Sequence, residues 1–401
     1  MAATAPRRDD TDADGEAYLR GAQALGPRLD AAAVEIERRR ELPDDIVAAL
    51  IETGLYRLLL PRSLGGAELG PPSYVPIIEE IATHDASAAW CLGQACGCSM
   101  SAAYLDPEAA REIFGPPTGI VAWGPPGPAQ ARAVPGGFLL SGEWSFASGS
   151  HHASWLGAHV AVAAEDGTPQ QRPDGTGVLR TMLFPKAEAA MTDIWHVIGL
   201  KGTGSDRYSV CDLFVPERYT ILRDEHAAPR EPGRLYRFSS SNLYASAFAG
   251  VALGIARSTL DAFLSLARDK IPRGAKRTMR DNNVVQALTG QAEARLASAR
   301  AFLLRSLGEI WDAVGRCGAL TLADNATIRL ASTWAIHQSR DVVAELYHAA
   351  GATAIFSGQP FERRFRDIHT VAQQMQGRQT HFETVGRILL GLEPDATMFT
   401  F

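Results

Sequence analysis

Three short stretches carry the side chains best placed to do chemistry. The first is Trp144-Ser145-Phe146-Ala147-Ser148-Gly149, with His151 and His152 just after it. Ser148 ends a run of alternating residues and precedes a glycine, so its hydroxyl can be presented as a donor from a strand-end turn. A plain turn serine beside a core tryptophan, Trp144, fits the same pattern. Histidine, with an ordinary pKa of about 6.5, is the side chain suited to a base near neutral pH. His152 and its neighbour are therefore candidates for that role, although a His-His pair in a turn also suits a solvated loop. The second stretch, Gly202-Thr203-Gly204-Ser205, offers backbone N–H groups and hydroxyls near a sharp turn, suitable for a phosphate or a ring carbonyl. A Gly-rich hairpin turn is the structural alternative. The third, Gln374-Met375-Gln376, is polar at both ends yet holds nothing that accepts a proton near neutral pH. The cysteines Cys91, Cys96, Cys98, Cys211 and Cys317 have no paired CxxC spacing, so neither a disulfide framework nor a metal site is expected, only buried reduced thiols.

The elements that must position these residues fall into three blocks. Residues 1–16 are rich in Ala, Asp and Arg and read as a frayed tail, neither a secretory signal nor a transit peptide, which suits a cytoplasmic protein. Residues 17–118 have helical texture: Leu42-Pro43-Asp44-Asp45 opens a helix that breaks at Gly54, and an apolar, Ala-rich run covers Val75 to Cys98. Between 119 and 235, Gly and Pro punctuate short alternating runs. In one, Phe138, Leu140, Trp144 and Phe146 share a face; in another, Tyr208, Val210, Asp212 and Phe214 lie opposite Ser209, Cys211, Leu213 and Val215. This is a β unit, a barrel or sandwich. From 236 to 401 helical periodicity returns, clearest in Leu288, Ala292, Leu296, Ala299, Leu303, Leu307, Ile310 and Val314. Similar stripes cover Leu243–Ala267, Ile328–Leu346 and Phe365–Leu390, and four long antiparallel helices pack most simply as a bundle. The fold class is thus mainly α with a central β domain. A net charge of −6 gives no basic footprint for nucleic acid, and the longest apolar stretch, Tyr244 to Ala256, is too short for a bilayer span.

Helices, then a β unit, then a four-helix bundle resembles the acyl-CoA dehydrogenase family, and local motifs extend the resemblance over nearly the whole chain. Arg39 to Pro61 looks like the family's opening helices. The Trp144–Gly149 run with His152 and Trp155, Gly199-Leu200-Lys201-Gly202-Thr203-Gly204-Ser205, and Phe214-Val215-Pro216 resemble the branch of two-component flavin-dependent monooxygenases. Arg363, Arg366-Asp367-Ile368-His369 and Gly386–Gly391 complete the match. The resemblance implies a flavin, FAD or FMN, with Trp144 as an apolar wall and Ser148 and Gly149 at the ring's N5. It implies Gly202, Thr203 and Ser205 as a cradle and Arg277 reaching a pyrophosphate. Ile355 and Phe356 would lie on a loop near the flavin of a neighbouring subunit, hence a homo-oligomer, most simply a tetramer.

A dehydrogenase of this family removes an α-proton with a glutamate, and abstraction without a carboxylate would be slow. One seat of that glutamate falls at Met375, between Gln374 and Gln376, and the other at Tyr244, in a stretch with no Asp or Glu from 232 to 260. Both seats lack a base. The resemblance then implies a monooxygenase in which reduced flavin and O₂ form a C4a-hydroperoxide in a dry pocket, with Ser148, His152 and Gln374 as catalytic groups and Trp123, Tyr244, Phe248 and Met375 around the substrate. Gln374 stands where relatives acting on phenols carry a histidine, which favours an indole, a fused aromatic or an amine over a phenol. No GxGxxG opens a βαβ unit, so the reduced flavin is expected from a separate reductase. The alternatives are a dehydrogenase or oxidase with a relocated base, and a family member without catalysis.

Overall fold

The computed structural model describes residues 10–172, 175–222 and 228–394. Among the described residues, five α-helices come first: α1 (Asp10–Arg39), α2 (Asp44–Glu52), α3 (Pro71–His84), α4 (Ala86–Ser99) and α5 (Pro107–Phe114). Helix α1 starts inside the stretch expected to be a tail, since Asp10 to Glu16 continue it; residues 1–9 lie outside the described residues. Pro43 precedes α2, and Gly54, at φ 71°, ends its turn as its position suggested. Asp85 separates α3 from α4 and caps the latter, its carboxylate accepting the Ala88 N–H at 2.8 Å.

Eight strands follow among the described residues: β1 (Val121–Trp123), β2 (Ala129–Val134), β3 (Gly137–Trp144), β4 (Trp155–Ala163), β5 (Leu179–Pro185), β6 (Ala190–Thr192), β7 (Arg207–Pro216) and β8 (Thr220–Leu222). They join in the order β6-β7-β3-β2-β4-β5-β8, with β1 added parallel to β4. Strands β2 and β3 form a hairpin across Pro135-Gly136, where Gly136 takes φ 81°. The alternation expected along β7 breaks at its middle. Leu140 pairs with Leu213 and Gly142 with Val210, so Cys211 and Asp212 together face Ser141. That bulge puts Asp212 at φ 48° and ties its N–H to the Ser141 hydroxyl at 2.8 Å. Parity therefore flips: Tyr208 and Val210 are buried before the bulge, Val215 after it, and Phe214 and Cys211 face outward. Cys317, at a helix end, is exposed too, whereas Cys91, Cys96 and Cys98 are buried as expected.

The remainder is the expected bundle: α6 (Ser240–Asp269), α7 (Asn283–Cys317), α8 (Leu322–Ala350), α9 (Pro360–Gln373) and α10 (Thr380–Leu389). Along α7, Ala292, Leu296, Ala299, Leu303, Leu307, Ile310 and Val314 are all buried. Each leucine removed from water there contributes about 2 kcal/mol. Helix α6 is long and apolar enough to cross a membrane by composition, but most of it is buried against α3 and α8. The fourth stripe is not one helix. It breaks between α9 and α10 into a turn at Gln374–Gln379, and that break lines the main cavity.

Candidate active site

A cavity of about 870 Å³ opens where all three units meet. One wall is an aromatic stack from two helices: Trp90 of α4 lies flat on Phe248 of α6, with centroids 3.8 Å apart and planes 5° from parallel, and Tyr244 stacks beyond at 5.8 Å. Helical spacing places Tyr244 and Phe248 on one face, and the Ala- and Gly-rich sequence of α4 lets the helices approach. Trp123 of β1, against the edge of the His159 ring, lines the β side, and Phe146 and Trp195 line the cavity too, their rings meeting edge to face.

Ser148 projects into this space from the loop after β3. The strand ends at Trp144, and Phe146 adopts φ 64°, turning its ring out of the sheet's face and into the cavity. The Ser148 hydroxyl accepts the Trp90 indole N–H at 3.0 Å and shares a proton with Ser205 at 2.7 Å. Ser205 in turn meets the Thr203 hydroxyl at 2.7 Å, and Thr203 donates to the Leu200 carbonyl at 2.9 Å. The indole can only donate, so one lone pair of Ser148 is committed to Trp90, while its own proton can point to Ser205 or into the cavity.

The loop carrying Trp195, Val197 and Leu200 is held by carboxylates behind it. Asp206 accepts the N–H groups of Ile194 and Trp195 at 3.0 and 3.1 Å, and His151 bridges Asp206 to Glu41 at 2.7 and 2.6 Å. Leu200, at φ 51°, donates its N–H to buried Asp367 at 2.6 Å. Burial pushes the Asp367 carboxyl up to about 7. Its neighbour Arg366 holds the Ile198 carbonyl at 2.6 Å. The Arg366-Asp367 pair thus acts on the cavity by pinning this loop.

Opposite lies the turn between α9 and α10. Gln374 accepts the Gln376 N–H through its side-chain oxygen at 2.7 Å, which leaves its amide nitrogen buried without an acceptor. Met375, Gln376 and Arg378 complete this wall. Among the described residues, no Asp or Glu lines the cavity.

Profiles of the acyl-CoA dehydrogenase N-terminal domain and C-terminal domain match residues 23–114 and 246–378. An indole-3-acetate monooxygenase of Pseudomonas putida is 30% identical over 364 residues, covering 90% of each chain. The chain belongs to the acyl-CoA dehydrogenase family, in its flavin-dependent monooxygenase branch. The oxygenase component of p-hydroxyphenylacetate 3-hydroxylase from Acinetobacter baumannii is 27% identical over 96% of this chain and 92% of its own. In fold, the solved structure of XiaF from a Streptomyces species, in complex with FADH2 and glycerol, superposes with a TM-score of 0.89 at 24% identity, covering 96% of this chain and 98% of that one.

Within this family member, the cavity gathers Ser148, Ser205, Trp123, Tyr244, Phe248, Gln374 and Met375, all expected from sequence. Other expected residues stand elsewhere. Trp144 is fully buried in the β core, donating to the His159 carbonyl at 3.2 Å and stacked on Tyr208, so it is no cavity wall. Gly202 packs against Ile36 and Ser87 of the N-terminal helices, where a side chain has no room, and Thr203 reaches the cavity only through Ser205. Gly149, at φ 78°, lies over the His152 ring and behind the cavity wall. His152 itself is half-buried beside Tyr56, whose hydroxyl lies 3.1 Å from Nε2, and desolvation of the ring pushes its pKa down to about 3. A ring so reluctant to take a proton is a poor base, and it does not line the cavity. Arg277, Ile355 and Phe356 are exposed and do not line the cavity within one chain.

Trp90, Gln94, Trp195 and Arg378 line the cavity without having been singled out in the sequence. Trp90 sits in an apolar helix that reads as core, and nothing local marks its indole N–H as the partner of Ser148. Arg378 was within reach, since it lies three residues beyond Met375.

Proposed function

We propose that this chain is the oxygenase component of a two-component monooxygenase, which uses reduced FAD or FMN and O₂ to hydroxylate a small aromatic or indole-like substrate. The observation that carries this is a large aromatic-walled cavity with an inward hydroxyl at Ser148 and, among the described residues, no carboxylate in its lining. Tyr244 and Met375, the two positions where the sequence led us to expect a dehydrogenase base, both line the cavity. A cavity of about 870 Å³ has room for an isoalloxazine ring with a small ring beside it. Ser148, Ser205, Trp195 and the Leu200 segment would hold the flavin, and the buried Gln374 amide nitrogen without an acceptor suits a group brought in with ligand. When bound, reduced flavin supplies the two electrons that let O₂ place one oxygen in the substrate and leave the other as water. The chain's own part is to present the Ser148 proton, orient the substrate ring against Trp90 and Phe248, and exclude water with apolar walls. The relatives' names support this: one acts on indole-3-acetate, and another is called an oxygenase component, which supports a separate reductase as partner. Exposed Ile355 and Phe356 support association with further copies of the chain.

The test is stopped-flow mixing of anaerobic protein and reduced flavin with O₂. A transient absorbance band preceding oxidised flavin, with hydroxylated product when an indole or related aromatic is present, is the expected result. Direct appearance of oxidised flavin and hydrogen peroxide, together with bleaching of bound oxidised flavin by an acyl thioester, would instead establish the dehydrogenase alternative.

A further inference from the structure

The cavity's polar lining is uneven in sign. Arg378 brings the one guanidinium among the described lining residues, and no carboxylate answers it. Its side chain makes no hydrogen bond or ion pair with any described residue, whereas nearby Arg329, Arg363 and Arg366 are each paired, with Gln376, Asp85 and Glu362 respectively. Four residues earlier, the Gln374 amide has its oxygen fixed on the Gln376 N–H and its nitrogen buried without an acceptor, so its one uncommitted polar atom is a donor just behind the cavity wall. The turn joining the two packs on α6, a helix of 30 residues whose first-turn Ser240 and Ser241 line the same cavity. The N-terminal end of such a helix favours negative charge. Charge, unsatisfied donor and helix terminus agree in sign.

We propose that Arg378, assisted by Gln374, Ser240 and Ser241, forms an anion subsite at the exposed end of the cavity that holds an anionic oxygen group. A carboxylate on the aromatic substrate and the phosphate of the flavin present the same chemistry to a guanidinium. Arg378 is exposed, so an anion there stays partly hydrated while an attached ring enters the apolar stack, and the desolvation cost is small. The subsite thus selects a ligand with an apolar ring at one end and an anion at the other. This inference deepens the proposed function and rests on it.

The experiment is equilibrium binding to the full-length protein, followed by isothermal titration calorimetry, which reads indole and flavin ligands alike. Two matched pairs serve as ligands: indole-3-acetate with 3-methylindole, and FMN with riboflavin. Arg378→Gln is expected to weaken one anionic member by about tenfold while leaving its neutral counterpart unchanged, and Arg378→Lys to recover part of the loss. Loss confined to indole-3-acetate assigns the subsite to the substrate, and loss confined to FMN assigns it to the cofactor. Unchanged affinity for both anions, or equal loss for charged and neutral members, overturns the proposal. Binding is read without turnover, so a chain that holds the acid through Arg378 yet transfers no oxygen refutes the proposed function and leaves the subsite standing.

Discussion

Asp367→Asn separates the charge of the buried acid from its hydrogen bond. In the folded chain, burial raises the Asp367 carboxyl from 3.8 to about 7, with buried Asp85 adding to the rise and Arg363 and Arg366 opposing it. A raised folded pKa means that the native state holds a proton that the unfolded chain has released. The resulting stability is fully present below about pH 4 and is lost as pH rises through about 7, an upper bound of about 4 kcal/mol for a shift of roughly three units. Asparagine keeps an oxygen to accept the Leu200 N–H, which Asp367 now accepts at 2.6 Å, but cannot ionise. Denaturant unfolding of both proteins at several values between about pH 5 and 8.5 should show the wild type losing ground to the variant, with a difference of about 2–4 kcal/mol across that range. Glu37 pulls the other way: despite its burial, hydrogen bonds from Arg366 and Lys201 hold it below the usual glutamate range, and it is common to both proteins. Parallel curves for the two proteins would refute the buried acid, and a variant that unfolds at every pH would show that asparagine does not replace the Leu200 contact.

Ser148→Ala removes the hydroxyl that accepts the Trp90 N–H and shares a proton with Ser205. Product formed per flavin oxidised is expected to fall at least about tenfold, with hydrogen peroxide rising in its place, as for loss of one oriented donor; unchanged coupling measured by product and peroxide assay would remove Ser148 from the chemistry. His152→Gln is expected to leave the pH profile of turnover between about pH 6 and 9 unaltered, because burial holds the ring neutral with its pKa down at about 3. A lowered folded pKa adds stability above about pH 6.5 that is lost as pH falls, so the same variant should show a flatter acid branch in thermal melts; a profile limb that vanishes in the variant would restore His152 as a base.

How much was legible depended on whether the information was local. The stripe on α7 was readable because a regular helix repeats one burial rule, and its seven core positions from Ala292 to Val314 are buried as the spacing requires. The strand parity of β7 was readable only as far as Val210, because one inserted residue at the bulge reverses every side chain beyond it. Ser148 was legible from its place before a glycine, but its partners Trp90 and Ser205 come from 58 and 57 residues away. Trp144 went the other way: it belongs to a motif that resembles a flavin site, yet strand alternation alone puts it in the core beside Phe138 and Leu140. There the period was the better guide than the motif.

The same contrast explains why the last stripe misled. Periodicity from Phe365 to Leu390 continues across Gln374–Gln379, but the backbone does not, since Gln374 takes an extended ψ of 168° and caps its own turn through the Gln376 N–H. His381 then donates its Nε2–H to the Met375 carbonyl, 2.8 Å away, and burial pushes its pKa down to about 4, so it stays neutral while fixing the turn. A continuous helix would spend these backbone groups on its own ladder. Opening it places Gln374 and Arg378 in the cavity lining. The residues that depart from the helical rule are therefore those that build the cavity wall, and a pattern tuned to find regular elements passes over them.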